Sequence, residues 1–205
     1  MSLSEPARTA ARRARSTLLL ALVVTAAVMG VLAYQSLAPS SSASPPGLLD
    51  HPGARGKAAG AVPDGVTVFD DEFPAVTNLD PDLLEALREA ATDAADDGVA
   101  LYVNSGWRSW AYQERLLREA IAEHGSEEEA ARWASTPETS RHVSGDAVDI
   151  GPPEATPWLS EYGAAYGLCQ IYDNEPWHYE LRTEAIENGC PPRYADPTQD
   201  PGMQQ

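Results

Sequence analysis

The chain has 205 residues, with 31 Asp and Glu against 14 Lys and Arg and a formal net charge of −17. Beyond Ser16 the imbalance sharpens to thirty acidic against ten basic side chains. That argues against nucleic acid, whose phosphates are held by basic patches, and against docking of the main body on anionic lipid headgroups.

The length allows one ordinary domain with some chain to spare, and the spare part is N-terminal. Residues 1–16 carry Arg8, Arg12, Arg13 and Arg15 ahead of an apolar run from Leu18 to Tyr34, interrupted only by Thr25 and Gly30. Such a run is short for a membrane span and long for the apolar region of a signal peptide. Ser36-Leu37-Ala38 is a poor cleavage pattern because Pro39 follows it. Residues 17–38 therefore read as a transmembrane anchor or a signal peptide, with the retained anchor favoured, and residues 1–16 as its basic cytoplasmic flank. Residues 39–65 are rich in Ser, Pro, Gly and Ala and bury too little to offset ordering entropy, so they read as a flexible stalk. The folded domain is expected over residues 66–194, followed by a disordered tail over 195–205, and the protein is expected to be a monomer.

Within the domain, Asp80-Pro81 opens the first clear helix, with a capping residue followed by a proline whose missing donor does no harm there. Leu83, Leu84, Leu87 and Ala91 share one face, and Gly98 ends the pattern. Val99 to Asn104 reads as a strand broken by Ser105-Gly106. A second helix runs from Trp110 to His124, and Ser126 with Glu129 forms a capping box for a short third one through Trp133. Ala147 to Ile150 reads as a strand. Thr156-Pro157 opens a fourth helix that Gly167 closes. Leu168–Tyr172 and Trp177–Leu181 then read as two strands joined by a tight turn. Helices outside a small antiparallel sheet make an α+β fold.

Cys169 and Cys190 both lie in the exported part. Outside the cytoplasm an even pair is read as a disulfide, and neither has a Cys or His at metal spacing.

The chemistry concentrates in Ser140-Arg141-His142-Val143-Ser144-Gly145-Asp146-Ala147-Val148-Asp149 and in Glu175-Pro176-Trp177-His178. Two histidines and an aspartate suit a metal, and three protein ligands with a fourth position open is the pattern of a catalytic zinc. On a strand Ala147 and Asp149 share a face, and the small Ala147 leaves space beside the carboxylate. Gly145 permits the tight bend that returns His142 to the same point. Pro176 cannot join a ladder, so it puts Glu175 in a turn, overhanging the metal without ligating it. His51 and His124 read as surface or structural histidines.

These residues carry a resemblance. Ser-x-His-x-x-Gly-x-Ala-x-Asp followed by Glu-x-Trp-His resembles the zinc D-Ala-D-Ala carboxypeptidases of the VanY type, grouped with the D-Ala-D-Ala dipeptidases and the hedgehog N-terminal domain. Ser105-Gly106-Trp107-Arg108-Ser109 with Gln113 resembles the family's Ser-Gly-Tyr-Arg-Ser…Gln segment, with Trp107 in place of the usual Tyr. Val143-Ser144 stands where Gln-Thr is common. The resemblance covers residues 80 to 182. It implies a hedgehog/D-Ala-D-Ala peptidase-like fold, with Zn2+ held by His142, Asp149 and His178 and with Glu175 as general base and then acid. It further implies Arg108 as the partner of the developing oxyanion, and Ser140, Gln113 and Ser109 as residues that position the peptide. The implied substrates are peptidoglycan stem peptides losing a terminal D-alanine. An L,D-carboxypeptidase, a D-Ala-D-Ala dipeptidase and a non-catalytic wall-binding module with a zinc fold remain as alternatives.

Overall fold

The structure is a computed structural model and describes residues 56–203. The basic flank, the apolar segment 17–38 and most of the expected stalk lie outside the described residues. Among the described residues, no helix is long and apolar enough to cross a membrane.

Four antiparallel strands form one sheet in the order β1-β2-β4-β3: β1 Tyr102–Ser105, β2 Ala147–Gly151, β3 Leu168–Gln170 and β4 His178–Leu181. The strands are those expected from the sequence, with shifted ends. β1 starts at Tyr102 rather than Val99 and runs through Ser105, the residue expected to break it; β2 extends one residue to Gly151; β3 stops at Gln170 rather than Tyr172. β2 is buried along its whole length, as suits a strand covered on both faces.

The helix Pro81–Asp96 begins as its sequence dictates. Asp80 accepts hydrogen bonds from the backbone N–H groups of Asp82 and Leu83, and Pro81 takes the first position. Its buried face is Leu83, Ala86, Leu87, Ala90, Ala91 and Ala94. Four alanines on that face let the helix sit close to the sheet. There it joins Val66, Val68, Val103, Val148, Ile150, Trp158, Leu168 and Tyr179 in one core. The helix Trp110–His124 is capped by Ser109 and packs less deeply; Gln113 is its only buried side chain. The helix Ala155–Tyr162 starts one residue earlier than Thr156 and tightens into a 3-10 turn, Gly163–Tyr166. The third helix is one turn, Glu127–Ala130, capped by Ser126 and shorter than its expected end at Trp133.

Two boundaries differ from expectation. The folded region begins before Val66. Ala59 is buried, its carbonyl accepts the Ser109 N–H at 2.9 Å, and Val66 accepts from Val103 N–H at 2.7 Å. Residues 56–65 therefore belong to the folded body and not to a stalk. The tail is likewise ordered as far as Met203, with 3-10 turns at Pro197–Gln199 and Pro201–Met203. Its composition is polar and proline-rich, yet Asp196 and Asp200 are buried because Arg132 and Tyr172 partner them. Cys169 and Cys190 are bridged, joining β3 to the segment that leads into this tail.

Candidate metal centre

The site is built across the sheet. Asp149 on β2 stands opposite Ser105 on β1 and opposite His178 on β4. Directly opposed residues in an antiparallel pair share a face, so the three form one row. The Ser105 pairing depends on an irregularity: between Val103 and Ser105, β1 holds one residue more than β2. Such a bulge re-aims the side chain that follows it.

His142 reaches the row from the helical turn Arg141–Ser144. That turn ends at Gly145, in the left-handed region at φ +89, whose carbonyl accepts the Asp80 N–H at 2.9 Å. A Cβ on Gly145 would stand 2.6 Å from the Asn78 carbonyl oxygen. Only glycine meets both demands, so the bend inferred from the sequence is fixed by sterics and by dihedral angle.

Each ligand-type side chain has one atom engaged elsewhere and one left facing the centre. His142 Nδ1 donates to the Gly106 carbonyl at 2.9 Å, leaving Nε2. His178 Nε2 donates to Glu180 Oε1 at 3.2 Å, leaving Nδ1. Asp149 Oδ2 accepts from Arg108 Nη2 at 2.7 Å, leaving Oδ1. The three remaining atoms lie within 4.8 Å of one another. His142 Nε2 and His178 Nδ1 are each 3.4 Å from Asp149 Oδ1. Asp149 Oδ1 and His178 Nδ1 are buried and have no hydrogen-bond partner. Buried polar atoms left unpartnered and pointed at a common point are what a cation would satisfy. Outer partners on both histidines, one of them a carboxylate, fix tautomer and ring orientation as metal-ligating imidazoles require. The donor set therefore fits a divalent metal of the zinc type.

Glu175 is close by but outside that set, with Oε2 at 3.7 Å from His178 Nδ1. Burial pushes its carboxyl up to about 7; the Asp149 carboxylate adds to this, and His178 and Arg108 oppose it. Burial alone would lower His178, but the Asp149 and Glu180 carboxylates outweigh it and raise the imidazole to about 9. His142 goes the other way: burial and then Arg108 lower it, outweighing the Asp149 carboxylate that raises it. Asp149 is held well below the usual carboxylate range; burial opposes this, and His142, His178 and Arg108 overcome it.

Arg108 is pinned at three donors. Its Nε donates to Ser105 Oγ at 2.7 Å, Nη1 to Gln113 Oε1 at 3.1 Å and Nη2 to Asp149. Gln113 is buried, and its Nε2 donates to the Ser135 carbonyl at 2.9 Å. It thus orients Arg108 as well as lining the cavity. The other two expected peptide-positioning residues are placed differently. Ser109 caps the helix Trp110–His124, its oxygen accepting the Tyr112 N–H, and Ser140 borders a neighbouring surface groove. Neither lines the cavity over the donor cluster.

Several residues at the site escape a reading of the sequence alone. Glu180 backs His178 and accepts Arg182 Nη2 at 2.7 Å. Its position two residues after His178 on a strand, hence on the same face, was the available signal. Tyr172 packs its ring 5.1 Å from that of His178 and donates its hydroxyl to Asp200 at 3.1 Å. Trp133, Arg141, Pro197 and Met203 also line the cavity; Arg141 directly precedes His142 in the motif, while nothing in the local sequence marks the other three.

Comparison with known proteins agrees with this geometry. Residues 76–183 match the family model of VanY, D-alanyl-D-alanine carboxypeptidase. The chain belongs to the VanY family. Over 139 residues it is 30% identical to a D-alanyl-D-alanine carboxypeptidase of Enterococcus faecalis (strain ATCC 700802 / V583), covering 54% of this chain. The chain spans about half, 52%, of the length of that relative. Among solved structures it is similar to VanYB in complex with D-alanine-D-alanine, at 28% identity and a TM-score of 0.50, over 54% of this chain and 78% of that one. It is also similar to a mutant of the vancomycin resistance D,D-pentapeptidase VanY from a VanB-type cassette, in complex with Zn(II). That match has 26% identity and a TM-score of 0.49, over 55% of this chain and 80% of that one. The family span contains every residue of the donor cluster together with Arg108 and Glu175, and it ends before Cys190 and the ordered tail.

Proposed function

We propose that this chain is a zinc-dependent carboxypeptidase that removes a C-terminal D-alanine from peptidoglycan stem peptides outside the cytoplasm. The observation that carries the reading is the convergence of His142 Nε2, Asp149 Oδ1 and His178 Nδ1, two of them buried without partners, beside a carboxyl that is not a ligand. Membership of the VanY family supports it, as does the likeness to VanYB holding D-alanine-D-alanine. In this reading the segment 17–38 anchors the chain to the membrane or is removed on export, and the folded domain works at the wall.

His142, Asp149 and His178 would hold the zinc, which would supply Lewis acidity at the scissile carbonyl and a lowered water pKa of about 7. The remaining work falls to the chain. Glu175 takes a proton from the attacking water and delivers it to the amine of the departing D-alanine, so that water is added across the bond. Burial raises its basicity in the metal-free site. Arg108 has five N–H donors, of which three are fixed by Ser105, Gln113 and Asp149. The others are free to meet the carbonyl oxygen as it becomes anionic, held in place before the reaction starts.

The test is D-alanine release from a muramyl pentapeptide by the zinc-loaded protein. Release that stops on chelation and returns with zinc supports the reading. Binding of wall fragments with no turnover sinks it in favour of a binding module, and release only from the tetrapeptide reassigns it as an L,D-carboxypeptidase.

A further inference from the structure

The cavity over the donor cluster shares Arg108, Trp133 and Ala134 with an open groove that runs along the helix Trp110–His124 past Leu116, Ala120 and His124. Trp133 is about half exposed, and its ring stacks on His124 at 5.7 Å and 8°. The cavity lining also includes Arg141, Tyr172, Pro197 and Met203.

Pro197 and Met203 belong to the C-terminal segment, beyond the family match that ends at residue 183. The segment is strapped down at successive points. The Cys169–Cys190 bridge holds its start. Tyr194 donates its N–H to the Ile171 carbonyl at 3.0 Å and accepts from the Asp173 N–H at 2.9 Å. Asp196 pairs with Arg132 at 3.1 Å, and Asp200 accepts the Tyr172 hydroxyl. At Gly202 the strap backbone lies directly on Arg141, where an added Cβ would stand 2.8 Å from Nη2. The Arg141 guanidinium is thereby held at the wall with capacity to spare. Its ion pair with Asp146 is long, at 3.8 Å, and its Nε is buried with no hydrogen-bond partner.

A peptidase that takes only the last residue of a chain has to end its cleft on one side and leave it open on the other. The charge decides which side is which. A permanently charged guanidinium on the cavity wall, beside the strap and with only a long ion pair of its own, is the natural partner of a terminal carboxylate. Resting on the carboxypeptidase reading above, we infer that Arg141 and the strap of residues 191–203 form the closed end of the cleft. Arg141 receives the terminal carboxylate, Met203 and Pro197 limit the size of the terminal residue, and the groove past Trp133 carries the rest of the peptide.

The test uses the full zinc-loaded chain and two stem peptides that differ only in ending as a carboxylate or a carboxamide. The wild type is expected to favour the free carboxylate by two orders of magnitude in kcat/KM. Arg141→Gln is expected to cut that preference at least tenfold, through KM more than kcat and with zinc content unaltered, and Arg141→Lys to restore part of it. Met203→Ala, at a partly exposed position, is expected to raise release of a terminal D-leucine relative to D-alanine at least fivefold. A carboxylate preference unaltered in Arg141→Gln overturns the anchor. An unaltered D-leucine to D-alanine ratio in Met203→Ala overturns the closed end, and this arm decides the matter if Arg141→Gln does not fold. Failure of the wild type to release any residue from either peptide overturns the carboxypeptidase reading itself, and the assignment of the two ends with it.

Discussion

Arg108 Nη2 donates to Asp149 Oδ2 at 2.7 Å, with both side chains largely buried, while Oδ1 of the same carboxylate faces His142 and His178. One aspartate thus ties the Arg108 guanidinium to the donor set of the candidate metal centre. Arg108→Lys keeps the charge but cannot make the fork to Ser105, Gln113 and Asp149. We expect it to lose kcat by about 10²–10³, the range found when one oxyanion donor is removed. Arg108→Lys activity near wild type in a peptide-release assay would contradict this role.

Glu180 is buried and fixes His178 from behind. Burial alone would raise its carboxyl, but His178 and then Arg182 hold it lower, so it stays ionised. Glu180→Gln keeps a hydrogen-bond acceptor and removes the charge. The expected outcome is a zinc affinity weaker by about 10–100-fold, measured by competition with a chelating dye. An affinity unchanged within twofold would remove Glu180 from the centre.

The metal-free protein carries its own pH signature. The folded His178 is raised from 6.5 to about 9, so the stability it contributes is complete below pH 6.5 and is lost as pH rises through 9. Glu175, raised from 4.5 to about 7, acts in the same direction but between those two values, mostly below pH 6.5. The thermal midpoint of the metal-free protein should therefore fall between pH 6.5 and 9. Zinc uptake at pH 7 should release a proton, because the ligand nitrogen of His178 must be vacated. Calorimetry in buffers of different ionisation enthalpy reads that proton directly, and its absence would refute the coupling.

Gly145→Ala tests the bend that carries His142. The substitution places a Cβ 2.6 Å from the Asn78 carbonyl on a backbone at φ +89. A loss of about 2 kcal/mol or more in urea unfolding is expected from the dihedral and the clash together. Stability within 0.5 kcal/mol of wild type would show that the bend tolerates another residue, a shift no larger than surface substitutions give.

Much of this centre is legible from the chain because its parts obey local rules. Asp80-Pro81 opens its helix as those residue types dictate, and strand parity puts Ala147 and Asp149 on one face of β2. Gly145 and Pro176 mark the two places where the backbone turns, and Glu175 accordingly comes to rest beside the donor set and not in it. What stays hidden is set by long-range contacts. The extra residue in β1 that aligns Ser105 with Asp149 is a matter of register, and nothing in Tyr102–Ser105 announces it. Ser109 carries a motif position yet turns its oxygen to its own helix. The strap reads as disordered because Pro, Gly and Asp dominate it, and its order comes from Arg132 and Tyr172, which lie far away in sequence.

The most direct test of the central claim is Glu175→Gln, examined for zinc content and for D-alanine release from a pentapeptide in the same preparation. The account predicts one zinc per chain, as in the wild type, with release slowed by roughly 10²–10⁴-fold, the contribution of a positioned acid–base group. Zinc retained and release undiminished would contradict it.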